Sequence, residues 1–403
     1  TSNFVAGVNA GNSIVSGGNY NTLVGDEAGT AITTGTRNTA TGYGSLEDCT
    51  TGEHNSAFGL ASLASNTTAD NNTAVGYAAL NANTTADSNT AVGYSSLAAN
   101  TTGTRNTAVG KSVLVANTTG VDNTAVGGID AAAAATLGSN TTGTNNVAVG
   151  GGALHSNTTA SNNTAIGYRS LKVNTTGHSN VALGVEALDA NTTATYNTGL
   201  GFRTLSDNTT GASNVAVGAG ALKTNTTASN NTAVGYDALF ANTTGDGNVA
   251  VGVQALGANT TSAGNTALGY GAARTTTTGA SNTAVGYLSL KQNTTGHSNV
   301  SVGFTALQEN TTGANNTSVG FQSGLANTTG SSNTSLGHNS LISNTTASLN
   351  TAVGRSALQA NTTGAENTAT GYNSQLSTTT GNYNTSNGSG SLAVNTTGSS
   401  NVA

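Results

Sequence analysis

Apolar and polar residues alternate in one phrase that recurs along the chain, as in NTAVGYAALNANTTADS at residues 72–88. When the Asn of NTAVG is position 1, the phrase restarts every 17 residues over most of the 403-residue sequence. The short, alternating, β-branched segment NTAVGY is typical of a strand. Seventeen residues are too few for two helices and a turn, so the repeat predicts one all-β coil.

Three fixed features predict the path of each coil. Position 5 is Gly in all 23 repeats, position 9 is Leu in 18, and positions 12–14 read NTT in 18. An invariant Gly indicates a bend, a positive φ or a close backbone approach, and NTTG followed by polar residues indicates a turn. We therefore expect a strand, a bend, a second short strand through the Leu, and a turn. Representative bend glycines are Gly76, Gly93, Gly110, Gly235 and Gly286.

Stacking such coils predicts a parallel β-solenoid, or β-roll, of 17-residue coils. We expect residues 1–403 to form one continuous solenoid of about 23 coils, with an irregular first coil at residues 3–20. A six-residue insertion near residues 128–133 is expected to bulge outward as a loop. Because identical neighbouring coils can slip in register, we also expect this insertion to help fix the register.

The repeat offers two faces but few large apolar side chains. In a strand, the residues at positions 3 and 5 point away from the Val at position 4. One face therefore lines the coil interior and the other is available as a seam between chains, and the sequence alone does not assign them. Since each coil has only about two large apolar residues, we expect partner copies to bury the second face. A homotrimer is favoured over a single-chain solenoid.

The motif Asn231-Thr232-Ala233-Val234-Gly235 resembles the YadA-type head repeats of trimeric autotransporter adhesins. It is also similar to repeats of bacterial and phage tail-fibre-like proteins, and the resemblance covers essentially the whole chain. It implies a left-handed β-roll, three associated chains, and exposure at a cell or virion surface. The 17-residue period with its NTT turn departs from the shorter coils of that family.

Charged residues are sparse, and this limits the classes of binding partner that we expect. Only 6% of residues are charged, and the ten Lys and Arg residues are scattered. No basic patch is present for nucleic acid, and no run of 18 apolar residues predicts a membrane span. The sequence begins and ends within the repeat pattern, so we expect a fragment of a longer array.

The NTT triplets match the N-glycosylation pattern. The alternative is a ladder of stacked Asn amides inside the turns, with O-linked sugars on the neighbouring Thr residues as a further option. The equivalent position holds Ile32, Cys49, Thr276 and Thr378 in four repeats, which favours an inward-facing site. The candidate Asn residues are Asn66, Asn83, Asn100, Asn117, Asn140, Asn157, Asn174, Asn191, Asn208, Asn225, Asn242, Asn259, Asn293, Asn310, Asn327, Asn344, Asn361 and Asn395.

Position 6 is often aromatic, as in Tyr77, Tyr94, Tyr168, Tyr236 and Phe304. This column either shields the edge of the coil or a seam, or offers a platform for host-surface sugars. Ice-binding solenoids carry rows of Thr on one flat face, so an ice-binding role is a remote alternative. However, the two adjacent Thr residues of each NTT would point to opposite sides if extended.

Catalytic and metal chemistry is not indicated. The residues His178 and His297 share one repeat position but lie seven coils apart, so they cannot share a metal. A single Cys49 cannot form an intrachain disulfide; we interpret it as a buried residue, with a link between chains as the alternative. No nucleophile–base set stands out. We expect no enzyme activity, no metal and no cofactor.

The uniform repeat favours a structural extracellular fibre or stalk of a surface appendage. Variation is spread over positions 6, 7, 10, 16 and 17 rather than concentrated on a few coils. The alternative is an adhesin head whose surface binds matrix or glycans. The expected partners are copies of the chain itself, together with a host surface or glycans.

Overall fold

The computed structural model describes residues 2–403 and shows an all-β chain. It is a parallel β-solenoid of about 23 coils with a 17-residue repeat, which confirms the predicted fold class. The chain divides into two compact units, residues 2–202 and residues 203–403.

Every coil contributes one strand of three residues, and each strand pairs in parallel with the next within its unit. The strands of the first unit are β1 Phe4–Ala6, β2 Thr22–Val24, β3 Thr39–Thr41, β4 Ser56–Phe58, β5 Thr73–Val75, β6 Thr90–Val92, β7 Thr107–Val109, β8 Thr124–Val126, β9 Val147–Val149, β10 Thr164–Ile166, β11 Val181–Leu183 and β12 Thr198–Leu200.

The second unit covers residues 203–403, and its strands also pair in parallel with their neighbours. Its strands are β13 Val215–Val217, β14 Thr232–Val234, β15 Val249–Val251, β16 Thr266–Leu268, β17 Thr283–Val285, β18 Val300–Val302, β19 Thr317–Val319, β20 Thr334–Leu336, β21 Thr351–Val353, β22 Thr368–Thr370 and β23 Thr385–Asn387.

The strands assign the two faces that the sequence left open. Ala74, at the centre of β5, is fully buried, whereas Val75 is 37% exposed. The same pattern holds in almost every strand, so position 3 faces the interior of the coil and position 4 faces outward. The core is therefore built from small Ala side chains together with the Leu of position 9, of which Leu80 is fully buried.

The predicted second strand is wrong. The segment through the Leu forms consecutive turns in all coils, as at residues 77–82. Ala78 and Leu80 have φ values of 52° and 53°, in the left-handed region that is uncommon for non-glycine residues. A β-branched or apolar pattern does not reveal this backbone, because Leu has no intrinsic preference for a positive φ.

Hydrogen bonds between coils hold these turns in place. The Ala78 N–H donates to the Leu60 carbonyl of the preceding coil at 2.9 Å, and the Leu80 N–H donates to the Ser96 carbonyl of the following coil at 3.0 Å. The backbone ladder therefore continues through the turn, and this regular bonding offsets the local strain of the two left-handed residues.

The insertion forms a small loop and leaves the ladder in register. β8 pairs with β9 across a separation of 23 residues, with Thr124 opposite Val147. Within the loop, Ile129 and Ala135 form an antiparallel bridge, and the Asp130 N–H donates to the Ala134 carbonyl at 2.9 Å. The extra residues are thus folded as a short hairpin.

Candidate functional site

The outward sheet face exposes aliphatic side chains in both units. We define the outer face as the strand side chains at positions 2 and 4 of the repeat. Position 2 is mostly Thr or Val, and position 4 is mostly Val, Leu or Ile. No residue at these positions is charged. Val75, Leu183, Leu268 and Leu336 are all exposed, Leu268 by 47%. The face is uniform because equivalent residues lie opposite one another in each pair of strands.

Aromatic rings border the outer face at position 6. In the second unit, Tyr270, Tyr287, Phe304, Phe321 and His338 form a continuous stack, with ring centroids 5.0–5.4 Å apart and nearly parallel planes. In the first unit, Tyr77 and Tyr94 stack in this way, at 5.1 Å. Because the rings cover each other's faces, the stack presents mainly ring edges to solvent, so its inner members do not offer a face for a sugar.

The NTT asparagines form the predicted alternative to glycosylation, an internal ladder. Seventeen of the eighteen are buried, and Asn395 in the final coil is half-buried. Nδ2 of Asn100 donates to Oδ1 of Asn83 and to the carbonyl of Gly103, both at 2.9 Å. Both amide hydrogens are therefore used, and a glycan on Nδ2 would replace these bonds inside the coil.

The two Thr residues of each triplet have different surroundings. Thr101 is half-buried and its hydroxyl donates to the carbonyl of Thr118 at 3.1 Å, whereas Thr102 is exposed. The second Thr of each triplet therefore forms an accessible hydroxyl column on the turn.

A second Asn ladder runs through position 1, and the sequence analysis missed it. Oδ1 of Asn72 accepts the backbone N–H of Asn89 at 2.9 Å, and Nδ2 of Asn89 donates to the Gly103 carbonyl at 2.9 Å. The available signal was the presence of Asn at position 1 of every repeat. These side chains link each strand to the turn of a neighbouring coil, so they serve the fold.

The five representative glycines have the backbone that the bend was expected to require. Their φ values lie between +127° and +135°. A Cβ atom on Gly235 would lie 2.6 Å from the carbonyl oxygen of Gly252 in the next coil. Position 5 is therefore restricted by both the positive φ and the close approach of two backbones.

Cys49 occupies an Asn-ladder position and is fully buried. Its Sγ atom lies 3.7 Å from the carbonyl of Gly52 and 3.8 Å from Nδ2 of Asn66. Burial raises the pKa of the thiol to about 11, so the neutral form is retained in the folded coil. This placement agrees with its interpretation as a small buried residue.

The insertion carries the most buried charge cluster. The Asp130 side chain is inaccessible to solvent and lies 2.7 Å from Nε of Arg169 and 3.9 Å from Nζ of Lys172. Its carboxylate also accepts the N–H groups of Ala132 and Ala134 at 2.8 and 2.9 Å. Burial raises the pKa of Asp130, but these hydrogen bonds outweigh it and lower the pKa to about 2.

The histidines are placed singly. His338 ends the aromatic stack, and Nδ1 of His155 lies 3.0 Å from the carbonyl of Ala135. Within residues 2–403, no group of three or more His, Cys, Asp or Glu side chains is arranged to hold a metal ion. The same residues contain no helix with the length and apolar character needed to cross a membrane.

Comparison with known proteins adds no assignment. No family model matches the chain. No curated protein matches it either.

Proposed function

We propose that this chain is a structural segment of an extracellular fibre or stalk, in which copies of the chain associate through the outer face. The observation that carries the proposal is the uncharged outer face of Thr and aliphatic side chains, which the chain itself leaves uncovered in both units. Exposed aliphatic side chains in contiguous columns are typical of a protein–protein interface. A second copy presents the same columns at the same coil spacing, so equivalent side chains meet along the whole contact.

The internal bonding supports a structural role. Both Asn ladders, the strand ladder and the turn ladder connect each coil to its neighbours rather than forming a localised pocket. Side chains of the turns extend this bonding, since the Thr84 hydroxyl donates to the Thr101 carbonyl at 3.3 Å. Such repetition favours length and stiffness, because every added coil extends the same bonds. The homotrimer and the surface location are the forms that the resemblance to adhesin head repeats implies.

The test is the oligomeric state of the chain and of matched charge variants. A V75D/V92D double variant places two carboxylates on the outer face, where burial against a partner would leave them unpaired. Ser88→Asp is the control, because position 17 is exposed and carries Asp122 in another coil with similar φ. Native mass spectrometry and sedimentation should show a trimer for the wild-type chain and the control, and a monomer with unchanged circular dichroism for the double variant.

Two results would contradict this proposal. One is a wild-type chain that stays monomeric up to high micromolar concentration. The other is a trimer that tolerates both outer-face carboxylates, since the chains would then have to meet through a different surface.

A further inference from the structure

One cavity in the second unit lies beside positions 7 and 10 of three successive coils. It is lined by Asp237, Phe240, Gln254, Gly257 and Arg274 and has a volume of about 340 Å³, within the range of small-ligand sites. Phe240, Gly257 and Arg274 occupy position 10 in three successive coils. The middle coil has no side chain there, so a notch opens between an aromatic ring and a guanidinium group.

The spacing of the coils makes the gap between Phe240 and Arg274 wide enough for one saturated ring. Two coil steps separate Phe240 from Arg274, which corresponds to about 9–10 Å. A saturated ring in van der Waals contact on both sides needs about 7–8 Å. Nζ of Lys223 lies 5.3 Å from the Phe240 ring centroid on the side of the preceding coil. The Phe240 face toward Gly257 is therefore the one available to a ligand.

The rim of the notch supplies both donors and acceptors. Gln254 at position 7 supplies an amide that both donates and accepts, and Arg274 adds guanidinium donors. Asp237 at position 7 of the adjacent coil adds a negative charge, with Oδ1 over Gly220 of the preceding coil. Within residues 2–403, none of these three side chains has a hydrogen bond or an ion pair with another residue. The formal charges of Asp237 and Arg274 cancel, so the lining residues favour a neutral ligand that both donates and accepts hydrogen bonds.

We infer that this notch is a binding site for a neutral pyranose sugar. The C–H face of the sugar would stack on Phe240, because the ring face of an aromatic residue attracts positively polarised hydrogens. Its hydroxyl groups would donate to the amide oxygen of Gln254 and accept from the Gln254 amide and the Arg274 guanidinium. This site is independent of the proposed fibre role, since it lies at positions 7 and 10 and not on the outer face. It identifies one place for the glycan binding that the adhesin alternative requires.

Filling the notch provides the sharpest test. Gly257→Gln places a side chain between Phe240 and Arg274; Gln308 and Gln359 already occupy position 10 in other coils. The φ of Gly257 lies outside the left-handed region, and the nearest atom to a new Cβ is the Gln254 carbonyl oxygen at 3.2 Å. Ala98→Gln makes the same change at position 10 of another coil and serves as the matched control. Arg274→Ala, at an exposed residue, provides a second variant that does not depend on filling.

Saturation-transfer NMR on the full chain would use methyl β-glucoside, methyl β-galactoside and cellobiose, with glucuronate as the anionic comparison. We expect saturable binding of at least one neutral sugar in the millimolar range, typical of about −4 kcal/mol. Gly257→Gln and Arg274→Ala should weaken it at least about tenfold, and Ala98→Gln should leave it unchanged. The site would be refuted by no saturation with any neutral sugar, by unchanged binding to Gly257→Gln, or by tighter binding of glucuronate.

Discussion

At position 5 of each coil, two backbones approach so closely that a methyl group does not fit between them. A Cβ on Gly76 would lie 2.5 Å from the carbonyl oxygen of Gly93, and the φ of Gly76 is +133°. Two residues later, Ala78 also has a positive φ, of 52°, yet it keeps its side chain. The difference is that Ala78 lies in the left-handed α region, which an L-residue can enter at moderate cost, whereas Gly76 does not.

This contrast predicts opposite responses from two neighbouring substitutions. Gly76→Ala adds backbone strain of about 1–3 kcal/mol as well as the contact with Gly93, and should lower the unfolding free energy clearly. Ala78→Gly removes strain but gives the unfolded chain more freedom, so its net change should stay within about 1 kcal/mol. Chemical denaturation with hydrogen exchange over β5 and β6 measures both. Equal destabilisation by the two changes would show that the close approach at position 5 is not limiting.

At the scale of the element, the sequence predicts strands well and turns poorly. Thr73–Val75 follows from alternation, and Gly76 from its invariance, because both signals are local. The segment containing Leu80 is predicted as a strand but forms a turn. Its positive φ accompanies hydrogen bonds to the adjacent coils, and the local sequence does not reveal such long-range contacts. The notch at Gly257 is also not predicted from the sequence, because it requires the positions of Phe240 and Arg274 in the two neighbouring coils.

The insertion loop is held by a charge cluster that joins elements 39 residues apart. Asp130 and Arg169 form a hydrogen bond of 2.7 Å, and backbone N–H groups complete the coordination of the carboxylate. We expect this cluster to fix the position of the loop, and through it the register of β8 and β9.

An acid titration tests this expectation. The pKa of Asp130 is lowered from 3.8 to about 2 on folding, so its stabilisation is complete above pH 3.8 and is lost as the pH falls toward 2. Asp130→Asn should lower the unfolding free energy at pH 7 by about 1–3 kcal/mol, and should remove this part of the acid dependence. Denaturant midpoints between pH 7 and pH 2 measure both effects.

Asp122→Asn provides the matched control for this titration. Asp122 also pairs with an arginine, with Nε of Arg105 at 2.7 Å, but on an exposed surface. Solvent screening makes such pairs weak, so this variant should change stability little. If the two variants behave alike, the buried cluster does not position the loop.

At the scale of the whole molecule, stability is distributed over nearly equivalent coils. Deleting residues 72–88 removes one complete repeat and leaves Asn71 joined to Asn89, so β4 and β6 can pair in the same register. Because each coil contacts mainly its neighbours, we expect this variant to fold with native-like circular dichroism. Hydrogen exchange should show protected amides in β4 and β6.

Deletion of residues 72–80 is the comparison for this variant. It removes fewer residues but leaves an incomplete coil that cannot carry both the strand and the turn ladder. We expect protection to be lost in the strands on either side. Equal protection in the two deletions would mean that the 17-residue period is not the unit of folding.

The NTT asparagines also have a common direction. Asn100 donates to Asn83, Asn117 donates to Asn100, and Asn140 donates to Asn117 across the insertion. Amide dipoles in this column are therefore aligned head to tail, and each bond strengthens the next by about 10–30%. Asn117→Leu thus interrupts this mutual polarisation with the amides on both sides. Asn66→Leu, at the first amide of the column, interrupts it on one side only.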